Sequence, residues 1–472
     1  MLARIIASVL LTWYAVIVIM ALLGFLSIYK SFDTPSKVHF DYAALEPVTI
    51  IRPIKGIDPE LLSCLELSFL QNYPVSRLQI LFCVFDEDDP AVPLLRHLVA
   101  KYPEMDAQIL ISRIGTDHYG PNPKVNNLAK GFLAAKYDLL WIMDLNVWAS
   151  ADILRSTVHA MNNNYNCNQP IGPNGKRVKL VHHVPLALSL NGNRFGLGSL
   201  LDEMFLLTSH LKFYVSLNNA SIAPCVNGKS NMYRKSDLDY AVSQIPAKKS
   251  SFFMERSVID DASHIAAKGP GYSIEFFAKY IGEDNMIAIA LWEYCQGRTA
   301  LTGDAVIQPL EAQGQLNSIM EYCNRRVRWL RVRKYMVFAA TLVEPTTESI
   351  ICGIMGTFAL SHFLWDTTFN FKLFAFHMLC WLVADYDQYH RWMRNIDRTS
   401  PRPPWLQKVA AENRSTGRWF QIWLMRELFA LPIWIAAMLG HKINWRGKPF
   451  MIKKDLSASE IDTEAAARSF SI

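Results

Sequence analysis

Residues 2–29 carry a single charge, Arg4, in an otherwise apolar run. That length suits a helix crossing the hydrocarbon core of a bilayer, which takes roughly 20 residues, so the domain that follows is held at a lipid surface. A cleaved leader is the competing reading. It requires an apolar core of only about 7–15 residues and a small-residue cleavage motif; this run is longer, and no such motif follows it. Lys30 and Lys37 flank its far end and the residues beyond hold more charge, so the positive-inside rule predicts a cytosolic domain. Hydrophobic residues at 51% and 13 Trp fit the same picture, because Trp gathers at membrane interfaces. A net charge of 48 − 42 = +6 is too small to argue for nucleic acid. It suits weak attraction to anionic headgroups where it clusters, at 325–334. The eight cysteines include no Cys-x-x-Cys pair, which argues against structural zinc and for reduced thiols.

Residues 31–47 read as a polar linker. Beyond it, strand-like and helix-like segments alternate. Residues 48–53 form a short β-rich run closed by Pro53. Residues 58–70 have helical spacing (Leu61, Leu65, Phe69), with Asp58 as N-cap and Pro59 in the first turn. Strand at 78–85, helix at 92–101, strand at 108–111, helix at 125–135 and strand at 138–143 follow. The alternation predicts an α/β domain with a mainly parallel sheet over 48–335. Ligands of such open sheets bind beyond the carboxyl ends of strands, where Asp86–Asp89 and Asp144 fall. Residues 162–177 read as an exposed loop, and 243–273 as a second insertion with few apolar anchors. From 336 to 445 the chain turns apolar again, as membrane or interfacial helices. Residues 349–365 and 371–384 form a short hairpin or re-entrant pair, 386–418 a strongly basic cytosolic loop, and 420–440 a last apolar segment interrupted by Arg426, Glu427 and Pro432. Residues 446–472 read as a polar tail.

Four signatures follow one another in fixed order: Asp86-Glu87-Asp88-Asp89-Pro90, Trp141-Ile142-Met143-Asp144-Leu145-Asn146, Gly282-Glu283-Asp284-Asn285 and Arg325-Arg326-Val327-Arg328-Trp329. Sugar transfer from a nucleotide needs such a set: carboxylates for the nucleotide, a metal and a proton, and a cation for the departing diphosphate. Asp88 and Asp89 suit hydrogen bonds to a base or ribose; an acidic turn before Pro90 accounts for them equally well. Asp144 and the amide oxygen of Asn146 offer hard oxygens to Mg²⁺ or Mn²⁺, or cap a strand-end turn. Asp284 suits a general base, or a helix N-cap. Arg325 and Arg328 share a helix face and suit a leaving diphosphate, with Trp329 stacking on sugar or acceptor. A basic interface helix with snorkelling arginines is the alternative, and the better account of Arg331, Arg333 and Lys334. Lys124, in Asn122-Pro123-Lys124, reaches a phosphate or stays solvated beside a helix cap. His210, in Thr208-Ser209-His210, touches phosphate or acceptor, or is a satisfied structural histidine. Cys225 lines a pocket or is a buried thiol. His362, His377, Asp366, Asp385 and Asp387 are ionisable groups in or beside apolar segments, and functional candidates on that ground.

With Arg52–Pro59, Asn122–Leu128, Cys225-Val226-Asn227-Gly228, Glu344-Pro345 and Arg426-Glu427, these motifs resemble the ceramide glucosyltransferases, membrane-bound inverting enzymes with a GT-A catalytic domain. The resemblance runs from Val48 to about Trp445. It implies UDP-glucose as donor, the primary hydroxyl of ceramide as acceptor, a divalent cation, and an active site facing the cytosol at a Golgi membrane. It maps the family's three aspartates to Asp89, Asp144 and Asp284, its terminal motif to Arg325, Arg328 and Trp329, and a donor-binding histidine to His210. Two departures stand out: the insertions at 162–177 and 243–273, which suggest a fungal-type branch, and an Asp-x-Asn second motif that lacks a second aspartate. Two rival readings are a processive polysaccharide synthase, which needs more membrane helices than this chain offers, and a non-catalytic lipid-binding protein. Oligomeric state is not legible.

Overall fold

The structure, a computed structural model, describes residues 1–32, 45–112, 116–172, 175–190, 196–311, 317–397, 401–408, 414–445, 448–453 and 455–461. Most of the expected linker, 33–44, lies outside these. Unbroken apolar runs make strands covered on both faces, and here they form the middle of the sheet. Strands β1 (Val48–Ile54), β2 (Leu78–Val84), β3 (Asp106–Ile111) and β4 (Leu139–Met143) are parallel. A small hairpin, β5 (Tyr165–Asn166) and β6 (Gln169–Pro170), precedes β7 (Arg177–Ser189), β8 (Ser230–Arg234) and β9 (Gly297–Leu310). The main sheet runs β3-β2-β1-β4-β8-β7-β9, with β8 antiparallel to both neighbours and β7 parallel to β9. Successive residues of β1 enter opposite cores: Ile50 packs with Ile80 and Trp141, Ile51 with Leu81 and Leu140. Pro53 does not close β1, which continues to Ile54, because the pairing with β4 ends at Ile51 and leaves the missing N–H unneeded on that side.

One face of the sheet carries α2 (Leu61–Glu66), α3 (Val92–Lys101) and α5 (Ile153–Asn163). The other carries α4 (Pro123–Ala134), α8 (Lys235–Gln244), α9 (Arg256–Ala267) and α10 (Glu283–Tyr294). Three local expectations change. Asp58 does not cap the first helix: α2 starts after Glu60, in the left-handed region at φ 57°, and the Asp58 carboxylate instead accepts from Asn146 Nδ2 at 2.6 Å. The stretch 162–177, expected as a loop, contains the end of α5 and the β5–β6 hairpin, with Cys167 buried. The stretch 243–273 is anchored after all, by α9 and the buried Phe253, Val258, Ala262 and Ile265.

The remaining helices bind the sheet to the membrane part. They are α1 (Leu2–Ser31), α6 (Leu197–Phe205), a π-helical turn at Leu206–His210, α7 (Leu211–Ala220), α11 (Ile319–Met336), α12 (Phe338–Val343), α13 (Ser349–Trp365), α14 (Phe371–Asp397) and α15 (Thr416–Leu439). A three-stranded sheet, β10 (Lys442–Trp445), β11 (Lys448–Ile452) and β12 (Ala458–Glu460), occupies part of the expected tail. Among the described residues, α1 and α15 are long and apolar enough to cross a bilayer; 338–347 and α13 make a pair bent by 80°. α1 lies against α7 and α13 with almost no gap: a Cβ on Gly24 would overlap the Lys212 carbonyl, and one on Gly356 the Tyr14 ring. Polar bonds fasten the same contact, Trp13 Nε1 to Thr346 Oγ1 at 2.9 Å and Asn219 Nδ2 to Ser27 Oγ at 2.9 Å.

The basic stretch 386–418 is helical at both ends, since α14 continues into it as far as Asp397 and α15 begins at Thr416; residues 398–400 and 409–413 lie outside the described residues. Polar residues on one face of α14 point inward, while Arg394 is exposed. Gln388 donates to the Leu207 and Thr208 carbonyls, and the fully buried Asp385 pairs with Lys212 and accepts from Trp423 Nε1 at 2.8 Å. Asp385 therefore ties α7, α14 and α15. Asp385→Ala strands the buried Lys212 ammonium, which costs about 3–5 kcal/mol by the general measure of broken buried pairs. The expected result is a clear drop in melting temperature of the detergent-solubilised protein, without change in which sugar donor it binds.

Candidate active site

The pairing of β4 with the start of β8 decides the site. Met143 lies opposite Ser230, so Asp144, one residue past β4, meets Lys229, one residue before β8. The Asp144 N–H donates to the Lys229 carbonyl at 3.0 Å. Lys124 arrives in the first turn of α4, which Asn122 caps by accepting from the Lys124 and Val125 N–H groups. Asn122 Nδ2 also donates to Glu283 at 2.8 Å, joining the start of α4 to the start of α10.

These placements converge on one ammonium. Lys124 Nζ lies 2.9 Å from Asp144 and 3.1 Å from Glu283, and donates to the Gly228 carbonyl at 2.9 Å. Asp284 stands beside it: a Cβ on Gly228 would lie 3.1 Å from Asp284 Oδ2 and 3.2 Å from Lys124 Nζ. Only glycine leaves that approach open. Lys229 Nζ takes the other Asp144 oxygen at 3.2 Å. The side chains of Lys124, Asp144 and Lys229 are 19%, 22% and 24% exposed, so this cleft is enclosed yet reachable from water.

The electrostatics separate the two aspartates. Burial pushes both toward their neutral forms, but Lys124 and Lys229 outweigh it at Asp144 and hold that carboxyl down to about 2. At Asp284, burial and then the neighbouring Glu283 outweigh Lys124, and the carboxyl rises to about 7. Lys124, opposed by burial but surrounded by Asp144, Glu283 and Asp284, is held well above the usual ammonium range. One carboxylate is thus fixed as an anion and the other is poised to exchange a proton near neutrality.

The loop that carries Gly228 is pinned from two sides. Asn285 accepts from the Val226 N–H at 3.1 Å, and Tyr214 Oη accepts from the Asn227 N–H at 3.0 Å. His182, pushed down to about 3 by burial, is neutral; it bonds Tyr214 at 2.5 Å and Asn218 at 3.0 Å. On the other side of Asp144, the fully buried Arg52 donates to the Leu145 and Val147 carbonyls, both at 3.2 Å, and so shapes the turn after β4.

The other sequence candidates lie around this cluster in different ways. Asp89 accepts from the Gly56 N–H at 2.9 Å and the Ala91 N–H at 2.9 Å, joining the carboxyl ends of β1 and β2; Gly56 has φ +71°, which glycine adopts freely. Asp88 is exposed. His210 packs on Tyr214, ring centroids 4.9 Å apart, and burial with Arg326 and Arg333 pushes it down to about 3. Arg325 pairs with Asp202 at 2.6 Å, which ties α11 to α6. Arg328 and Trp329 are half-buried on α11, the helix whose Val332 and Met336 border Gly282 just before the acidic pair. Lys334 caps the end of α15 through the Ala437, Met438 and Gly440 carbonyls, and Arg333 pairs with Glu344 at 2.7 Å; neither snorkels.

Asn146 is spent within the protein, its oxygen accepting from Lys229 at 3.1 Å. No group of three or more His, Cys, Asp or Glu side chains arranged for a metal occurs among the described residues. Asp144 offers hard oxygens, each facing an ammonium at 2.9 or 3.2 Å, so it would serve a metal only once Lys124 and Lys229 turn away. A Mg²⁺-like ion would take its other ligands from diphosphate and water, its usual habit beside one or two carboxylates.

The sequence profile of glycosyl transferase family 21 matches residues 10–241 and 268–458. A ceramide glucosyltransferase of Candida albicans is 50% identical, over 96% of this chain and 97% of its own length. Another, of Komagataella phaffii, is 46% identical over 97% and 92%. A solved mannosyltransferase from Pyrobaculum calidifontis, in complex with GDP-Man and Mn²⁺, is similar at a TM-score of 0.40 and 14% identity, over 93% of this chain and 98% of its own. The family match covers most of the length, and the chain, whose central sheet is mixed and mainly parallel, belongs to glycosyl transferase family 21.

Proposed function

We propose that this protein transfers glucose from UDP-glucose to the primary hydroxyl of ceramide with inversion, giving β-glucosylceramide and UDP at the cytosolic face of a Golgi membrane. The observation that carries the reading is the gathering of Asp144, Glu283 and Asp284 on Lys124 at the carboxyl edge of the sheet. The activity named for the two yeast relatives supplies the acceptor and the sugar.

Asp284 is the general base. With its carboxyl near 7, it is largely ionised just above neutrality and still basic enough to take the hydroxyl proton as that oxygen attacks the anomeric carbon opposite UDP. One displacement inverts the α-linked donor. Lys124 and Lys229 turn from Asp144 toward the diphosphate and balance its charge, and Arg328 stabilises UDP as it leaves. Asp89 holds the Gly56 turn on the uridine side. Trp329 stacks against the transferred sugar. Arg325 and His210 act through the placement of α11 and Tyr214. A Mg²⁺ or Mn²⁺ ion held by Asp144 adds positive charge beside the diphosphate when bound.

The test is a product assay by mass spectrometry on purified protein, with UDP-glucose or UDP-galactose and ceramide, diacylglycerol or sterol. The expected result is a single hexosylceramide from UDP-glucose, β-linked by NMR, whose formation falls when divalent cations are chelated. Products that lengthen with time would favour a processive synthase. Ceramide binding without transfer from any donor would favour a lipid-binding role.

A further inference from the structure

Two properties of α15 conflict. Its length and apolar composition suit a bilayer crossing, yet its inner face carries the buried Arg426 and Glu427. Its outer face is a stripe of exposed side chains, Phe420, Leu424, Leu428, Leu431, Ile435 and Leu439, spaced by three or four residues. No polar side chain is exposed between Leu424 and Leu439, where a helix facing water would carry several.

The direction of α15 follows from its neighbours. Tyr14 Oη bonds His377 at 3.1 Å, Arg391 lies 3.9 Å from the Tyr29 ring centre, and Asn395 donates to the Phe32 carbonyl at 2.7 Å. Successive steps along α1 thus meet successive steps along α14, and the two run side by side. α13 returns along α14: the Ser349 carbonyl meets His377 at 3.0 Å, and Ser361 Oγ accepts from the Asn370 N–H at 2.9 Å. The stretch 338–347 is turned 80° from α13. α15 follows that turned stretch, with Arg426 on Glu348 at 2.7 Å and Trp434 Nε1 on the Thr341 carbonyl at 2.8 Å. It therefore lies across the bundle that contains α1.

α11 sets the second constraint. Its Tyr322, Arg326 and Leu330 face Arg426, Ala430 and Ile433 of α15, and further on the Lys334 ammonium meets the Met438 and Gly440 carbonyls at 3.1 and 2.6 Å. The two helices run together in the same direction. α11 carries six basic residues, Arg325, Arg326, Arg328, Arg331, Arg333 and Lys334. A crossing α15 would take that helix into the hydrocarbon, where each cation is costly. It would take the start of α10 as well, since Gly282 borders Val332 and Met336. The other end of α15 is fastened to the catalytic domain too: Arg414, just before it, pairs with Glu203 of α6 at 2.8 Å.

We infer that α15 does not cross the bilayer but lies flat in the leaflet nearest the catalytic domain, its stripe among acyl chains and its inner face on α6 and α11. The surface that covers the stripe is the bilayer that takes α1. The inference rests on α1 lying in that bilayer, and not on the identity of donor or acceptor. Its test places single nitroxides at Leu424→Cys, Leu428→Cys, Leu431→Cys, Ile435→Cys and Leu439→Cys. Cys380, the exposed native cysteine, is first replaced by serine. The full chain is reconstituted in phosphatidylcholine vesicles, and EPR power saturation compares oxygen with a water-soluble nickel chelate. The expected result is one common depth along the stripe, about 5–10 Å into the acyl boundary. A depth that peaks mid-stripe and falls toward both ends is a crossing helix and overturns the inference. Labels closed to both reagents mean a protein cover, a second copy included, and labels open to the chelate mean water; either overturns it. A second measurement uses Gly417→Cys, where an added Cβ meets nothing, and the exposed Lys453→Cys, beyond the other end. In sealed microsomes a membrane-impermeant maleimide is expected to modify both before detergent is added. Modification of one alone puts the two ends on opposite sides and overturns the inference.

Discussion

Asp284→Asn is expected to lower kcat by on the order of 10²–10⁴-fold, the usual contribution of a general base, while UDP-glucose binding stays within a few-fold of wild type. Single-turnover rates and calorimetric titration of the donor read the two quantities separately; parallel loss of both would count against the base role. The wild-type pH profile follows from the same carboxyl. Its ionised form is the active one, so kcat/KM is expected to rise with pH up to about 7 and then level off. Stability runs the other way. A carboxyl raised from 3.8 to about 7 binds its proton more tightly in the folded protein, so the stability that proton confers is lost as pH rises through about 7. The Asn variant escapes that loss and is expected to melt at or above the wild-type temperature at pH 8. A folded, inactive variant that melts higher separates a catalytic role from a structural one.

Lys124→Met leaves Asp144, Glu283 and Asp284 without their shared cation. Lys229 still serves Asp144, so the larger change falls on the acidic pair of α10. Lys124 lowers the Asp284 carboxyl, and its removal is expected to move the rise in kcat/KM to higher pH. A charged hydrogen bond is worth about 1.5–3 kcal/mol, so losing the contact of Lys124 with the diphosphate is expected to weaken donor binding roughly tenfold to a hundredfold. The shift of the pH profile is the diagnostic reading. A variant with weak donor binding but an unmoved profile would show that Lys124 meets the phosphate without sensing the base.

The parallel half of the sheet was legible because β1, β2 and β4 are buried on both faces, and such strands print as apolar runs with their acidic residues just past the end. Asp89 and Asp144 stood out for that reason, Asp284 because it opens the apolar helical run of α10, and Lys124 because Asn122-Pro123 announces a helix start. Lys229 was not legible. It owes its place to the antiparallel register of β8 against β4, which no local pattern records; Gly228-Lys229 before a strand was the only trace. The helical identity of 386–397 was hidden by the assumption that basic residues mark a loop. Those residues lie on a helix whose Asp385, Gln388 and Tyr389 are buried by partners remote in sequence. The cap at Asp58 failed because a left-handed Glu60 starts the helix two residues later. The ion pairs that join α11 and α15 to the bent helix pair escaped too: Arg326 and Arg426 are a hundred residues apart, and only folding shows that each answers a glutamate.

Gly24 and Lys212 fix more than a helix crossing. Because the first helix presses its backbone onto α7, the cleft has no freedom to bob on a leash, and a bilayer around that helix would hold it at one height over one leaflet. A substrate dissolved in that leaflet then finds the enzyme by two-dimensional diffusion, and a chain shortened to make it soluble would lose a wall of its own interior along with its mooring.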